Sequence, residues 1–244
     1  IEDKNPFVRE VEGEGIEAKM KSILADANVT SQKGLIEMFD SSIGASTVLM
    51  PFGGKTQRTE AQVSVQKLPV GNHHTNTASM MAYGFNPYLS SWSPYHGAAY
   101  AVVEAVAKAV AAGAEYEKLR FSYQEYFEKM SSPTAWGKPL AALLGALRMQ
   151  VALGLPSIGG KDSMSGTFAN ISVPPTLVAF GATAVDSRVV ISPEFKKAGS
   201  YIYLVRHTPL ANYMPDTELL RDNFEYVRHK IFSGAITSAY AVGF

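Results

Sequence analysis

The stretch that most constrains this 244-residue chain runs from Gly97 to Ala112, GAAYAVVEAVAKAVAA. It contains no helix breaker, and Gly113 stands where a left-handed C-cap belongs, so the pattern predicts a helix. Its only charges are Glu104 and Lys108. A helix this apolar has to be buried, which demands packing elements around it. Glu104 and Lys108 are one turn apart and share a face. That face is either exposed, making a surface pair worth about 0.3–0.5 kcal/mol, or it lines a polar cavity.

The remaining chain supplies packing partners by pattern. Two helical repeats, Ile16/Met20/Ile23/Leu24 and Leu35/Met38/Phe39, precede strand candidates at Thr47–Met50 and Gln62–Leu68, the second alternating polar and apolar. Further strands are expected at Asn76–Gly84, Leu119–Tyr123, Thr176–Val185 and Tyr201–Arg206. Helices are expected at about 135–153, capped by Ser132 or Thr134, and at about 216–232. Strands and helices alternate on both sides of residue 131. This predicts an α/β (α+β) chain with a leading helical segment, 1–33, followed by two consecutive α/β subdomains, 34–130 and 131–244.

Composition excludes several functions. Twenty-two basic and twenty-two acidic residues balance, so no field of one sign attracts nucleic acid or an anionic membrane. There is no cysteine, which rules out disulfides, thiolate metal sites and a thiol nucleophile within the chain. No apolar run approaches the roughly 20 residues of a membrane span, and a cytoplasmic location is expected. The first residue is Ile1 and the last segment, Gly234–Phe244, is apolar; both ends suggest an excised piece.

The segment richest in chemistry is Pro156–Gly166, PSIGGKDSMSG, expected as a strand leading into a tight polar turn. Its glycines would let backbone approach a ligand, its amides and Lys161 suit phosphate, and Asp162 suits a hard cation. A Gly-rich turn with solvated charges is the alternative. It is not a P-loop, because Leu155 and Asp162 occupy positions that motif reserves for Gly and Ser or Thr. Gly53-Gly54-Lys55-Thr56 fails the same test at Leu49 and is expected to be a loop. His73-His74 are expected in a solvated loop, and His96, just before the buried helix, is expected to cap or pack.

Taken together, Phe39–Ala45 (FDSSIGA), Ala82–Ser90 (AYGFNPYLS), Ser93–Tyr100 (SPYHGAAY) and Gly160–Ser165 (GKDSMS) resemble the long, single-chain form of phosphoribosylformylglycinamidine synthase. The similarity is to the second half of its synthetase portion. The resemblance implies an aminoimidazole ribonucleotide synthase-like fold, in which residues 34–130 form part of a barrel and residues 131–244 a second, truncated unit. It implies a parent enzyme that uses ATP and glutamine to convert formylglycinamide ribonucleotide to the amidine. Its partners would be a first synthetase half and a glutaminase domain, with a homodimer through the barrel edge as another possibility.

The family's glutaminase uses a nucleophilic cysteine, so a chain without one is expected to be inactive alone and to hold no catalytic residue. The resemblance also implies an auxiliary ADP with magnesium. Nucleotide contacts would fall on Gly159, Gly160, Lys161, Ser163 and Ser165, and metal ligands on Glu104 and Asp162. The other two ligand positions carry Lys67 and Lys108, whose ammonium groups would substitute for the metal's charge. Two further readings stay open: a stand-alone ATP-dependent synthase of the same superfamily, and a non-catalytic nucleotide-binding regulatory module.

Overall fold

A computed structural model describes residues 5–39, 42 and 45–243. Part of the Phe39–Ala45 block, namely Asp40, Ser41, Ile43 and Gly44, lies outside the described residues. The chain opens with helix α1 (Gly15–Ala25) and the single turn α2 (Lys33–Ile36), then a two-residue hairpin, β1 (Phe52–Gly53) with β2 (Thr59–Glu60). Strands β3 (Val63–Lys67) and β4 (Thr77–Gly84) follow, and then two helices in close succession, α3 (Pro87–Trp92) and α4 (Pro94–Ala111).

Helix α4 is the predicted apolar helix, begun three residues earlier than the pattern suggested. Asn86 caps α3 by accepting from the Tyr88 and Leu89 amides, both at 3.0 Å. Ser93 caps α4, and a proline occupies the first turn of each, where no intrahelical N–H partner is needed. α4 packs on β4 and β9 (Thr176–Asp186) on one side and on α5 (Pro133–Leu153) on the other. It is therefore a middle layer, which is why Ala98, Ala101, Val102, Ala105, Val106 and Ala109 are all fully or almost fully buried. Two glycines permit the close approach. A Cβ at Gly84 would overlap the Ala101 carbonyl of α4, and one at Gly145 of α5 would overlap the Tyr95 carbonyl.

The main sheet has the order β3-β4-β9-β5-β6, with β5 at Arg120–Tyr126 and β6 at Ser157–Ser163. All neighbours are antiparallel except β5 and β6, which are parallel and joined through α5. Period-two alternation puts Val63, Val65, Ala78, Met80, Ala82, Phe121, Tyr123, Leu177 and Ala179 on the buried face. The opposite face exposes Met81, Tyr83 and Tyr126. A small hairpin, β7 (Thr167–Phe168) with β8 (Ile171–Ser172), follows β6, and helix α6 (Thr217–Phe232) closes the ordered elements.

Several expectations differ from this structure. Strands from both sides of residue 131 share one sheet, and no break in it coincides with that position. Tyr201–Arg206 forms no strand: it is exposed, and no sheet edge among the described residues receives it. Thr47–Met50 keeps only an isolated bridge, Thr47 to Gln66, before Pro51 ends it. The expected turn at Gly159–Ser163 is instead the body of β6, paired along β5. Its backbone can lie there because Gly160 has no Cβ to meet the Tyr123 carbonyl.

Gly145→Val should lower stability by about 1–3 kcal/mol by forcing α5 off α4, read as a lower urea midpoint. Gly137→Ala, on the same helix with open space at its Cβ, should instead raise it by about 0.5–1 kcal/mol.

Candidate functional site

Glu104 and Lys108 form an ion pair of 2.7 Å whose side chains are only 19% and 12% exposed. The helical face they share is thus neither free surface nor an open cavity; it is closed by the end of β4. Glu104 accepts the Phe85 amide at 3.1 Å. Lys108 donates to the Tyr83 carbonyl at 3.0 Å and sits 4.4 Å over the Tyr83 ring. Every charge on α4 is therefore satisfied where the helix crosses β4, and the pair locks that crossing as well as neutralising it.

The second cluster lies on the β5–β6 edge. Gly159 takes φ 152°, a conformation open to glycine. Gly160 pairs with Tyr123, Lys161 with Gln124 and Asp162 with Glu125. Lys161 is exposed and its ammonium lies 5.6 Å from the Tyr126 ring centre. Ser163 accepts the Phe127 amide through its carbonyl at 2.8 Å, and the Ser165 carbonyl accepts from Thr167. Beyond β6 no further strand pairs among the described residues, so its outward amides, with Lys161, face solvent where an anionic ligand could lie.

Glu125 is the residue that pattern reasoning passed over. It is 6% exposed and stands directly across from Asp162. Burial first, and the Asp162 charge second, push its carboxyl up to about 7. The signal was present in Phe121-Ser122-Tyr123-Gln124-Glu125, where alternation aims the glutamate at the core face.

The sheet does not gather the four candidate metal-site positions. β4, whose end holds Glu104, is separated from β6 by β9 and β5, so the backbone of Asp162 is roughly 14 Å away at ordinary strand spacing. Lys67 pairs with Ala78, five residues along β4 from Tyr83 and hence about 17 Å from the Lys108 contact. Lys108 alone reaches a carboxylate. Among the described residues no three His, Asp or Glu side chains are grouped to hold a metal. With Glu104 already filled by an ammonium and an amide, the residues present do not fit a magnesium ion.

The other motifs have structural roles. His73 and His74 are exposed in a turn. His96 bridges Ser93 Oγ, 2.8 Å from Nδ1, and the Asn212 carbonyl, 3.0 Å from Nε2, tethering the 207–214 loop to α4. Of Gly53-Gly54-Lys55-Thr56, Gly53 ends β1 and the other three lie in the loop of the β1–β2 hairpin. Gln62 clamps the backbone of Ala241 by two hydrogen bonds of 2.7 and 2.8 Å, which seats the last described segment beside Lys108. No described helix is long and apolar enough to cross a membrane.

The fold so defined is a mixed α/β fold shared with solved structures of PurL from Thermotoga maritima. The structure of that protein complexed with AMPPCP superposes with a TM-score of 0.62 at 20% identity, covering 86% of this chain and 32% of that one. The ADP complex gives 0.61 at 17% identity, over 96% and 34%. No family model matches the sequence. In sequence the chain is similar to one segment of phosphoribosylformylglycinamidine synthase subunit PurL. It is 27% identical over 189 residues to the Picrophilus torridus protein, covering 75% of this chain and 24% of the relative. Against the Pyrobaculum aerophilum protein it is 25% identical, over 78% of this chain and 25% of that one. The chain thus spans about a quarter of the length of these curated relatives.

Because Glu125 keeps its proton to higher pH folded than unfolded, the folded state binds more protons between its ordinary value of 4.5 and about 7. The stability this supplies is complete below that window and is lost as pH rises through it. Glu125→Gln should match the parent at pH 4 and exceed it at pH 8 by up to about 3 kcal/mol, measured by denaturant unfolding at both pH values.

Proposed function

We propose that this chain is a segment of phosphoribosylformylglycinamidine synthase, from the second half of its synthetase portion, and that it serves as a nucleotide-binding and structural half without turnover of its own. The observation that carries this reading is agreement: sequence relatives and structural neighbours are the same protein, PurL, each over three quarters or more of the chain. PurL has been solved with ATP, AMPPCP and ADP, which supports adenine nucleotides as the ligand class. The parent would be an ATP-dependent ligase of purine biosynthesis. Its glutaminase nucleophile must come from elsewhere, since this chain has no cysteine.

In this reading the triphosphate or diphosphate lies along the β6 edge, where Gly159, Gly160, Ser163 and Ser165 offer backbone and hydroxyl groups and Lys161 a charge. The exposed sheet face bearing Met81, Tyr83 and Tyr126 meets the first synthetase half to complete a barrel. Lys108 neutralises Glu104 within the α4–β4 crossing, which β9 and β5 separate from β6, so that pair stands apart from the nucleotide and calls for no magnesium. Lys67 has no part in that pair and contributes through the sheet edge alone.

Two measurements test this. The chain alone should form no amidine from formylglycinamide ribonucleotide with ATP and either glutamine or ammonia, whereas measurable turnover would contradict the segment reading. By calorimetry, ADP affinity of the chain should change less than about threefold with and without magnesium, and Lys161→Ala should weaken it tenfold or more. An unchanged affinity in the variant would remove Lys161 from its phosphate-binding role.

A further inference from the structure

Helix α5 has three faces. One, made by Ala135, Pro139, Ala142, Ala146, Met149 and Leu153, is buried against the core. A second carries Lys138, which pairs with Glu128, and Arg148. The third is apolar and uncovered: Trp136, Leu140, Leu143, Leu144, Leu147 and Val151 are each between 45% and 74% exposed. By helical periodicity these six form one continuous stripe along the helix, free of charge.

The spacing of the stripe is palindromic about the midpoint between Leu143 and Leu144. Laid antiparallel on a second copy across a two-fold axis at that point, Trp136 meets Val151, Leu140 meets Leu147 and Leu143 meets Leu144, each contact occurring twice. An isologous interface requires such self-complementarity. The largest side chain falls opposite the smallest, as interdigitating layers need. The stripe offers on the order of 600 Å² from each copy, close to the roughly 800 Å² per partner of a standard interface, and flanking residues would supply the rest. The absence of charge removes the like-charge repulsion that a self-facing surface would otherwise carry.

We propose that α5 is a homodimer interface, two copies of this chain packing α5 against α5 in antiparallel fashion through the Trp136–Val151 stripe. This surface is on the far side of α4 from the exposed sheet face, so it is independent of the barrel pairing proposed above and of the nucleotide reading.

Because the chain has no cysteine, cross-linking reports the geometry cleanly. A Leu140→Cys, Leu147→Cys double variant should form a covalent dimer on mild oxidation, since residue 140 of one copy faces residue 147 of the other. Each single variant should cross-link at least tenfold less, because equal positions are displaced by seven residues, about 10 Å along the helix, beyond the reach of a disulfide at about 7 Å. In light scattering the parent chain should be a dimer, and Leu140→Glu with Leu147→Glu a monomer with unchanged helix content by circular dichroism. A parent chain that stays monomeric, single variants that cross-link as well as the double, or a dimer dispersed by Met81→Glu and Tyr83→Glu but not by the α5 pair would each overturn the proposal.

Discussion

The structure depends on burying a helix that has no polar side. α4 cannot rest on one surface, because apolar residues lie all round it, so it requires a sheet on one flank and another helix on the other. β4 and β9 provide the first and α5 the second. Each buried valine along it contributes about 1.5–3 kcal/mol relative to exposure, and small residues at Gly84 and Gly145 set how close the layers come. The rest of the fold follows from serving this layer: β3, β5 and β6 extend the sheet that α4 covers, and α3 and the His96 tether hold its N-terminal end.

Burial also explains the one charged pair on α4. A lone carboxylate or ammonium at a site less than a fifth exposed would be costly, and removing either partner would leave the other uncompensated. Glu104 and Lys108 neutralise each other and use the Phe85 amide, the Tyr83 carbonyl and the Tyr83 ring as further partners. A carboxylate held in this way has no open face for a hard cation. The β6 edge differs in that its glycines and Lys161 are exposed.

Sequence pattern was most informative where a period was long and unbroken. The α4 helix, the alternation in β3 and β4, and the helices α5 and α6 were legible because capping and periodicity agree over many residues. The β6 strand was misread as a turn because its glycines, which ordinarily punctuate loops, serve here to let two backbones approach. Tyr201–Arg206 shows the converse: a β-prone pattern forms no strand where no edge receives it. For the candidate site, the exposure of Lys161 agrees with the sequence pattern, but the mutual placement of Lys67, Glu104 and Asp162 was not legible, since strand order 3-4-9-5-6 is a property of the whole chain. Glu125 was hidden for a related reason, as its neighbour Asp162 is distant in sequence and adjacent only through parallel pairing.

We propose the β6 edge, without a metal at Glu104, as the nucleotide-facing part of this chain. Hydrogen exchange with and without ADP, in the presence of a chelator, tests it most directly. The account predicts slowed exchange at the outward amides between Gly159 and Ser165 while the Phe85 amide, already held by Glu104, is unchanged. Binding of ADP that leaves β6 exchange unaltered, or that protects it only when magnesium is restored, would contradict it.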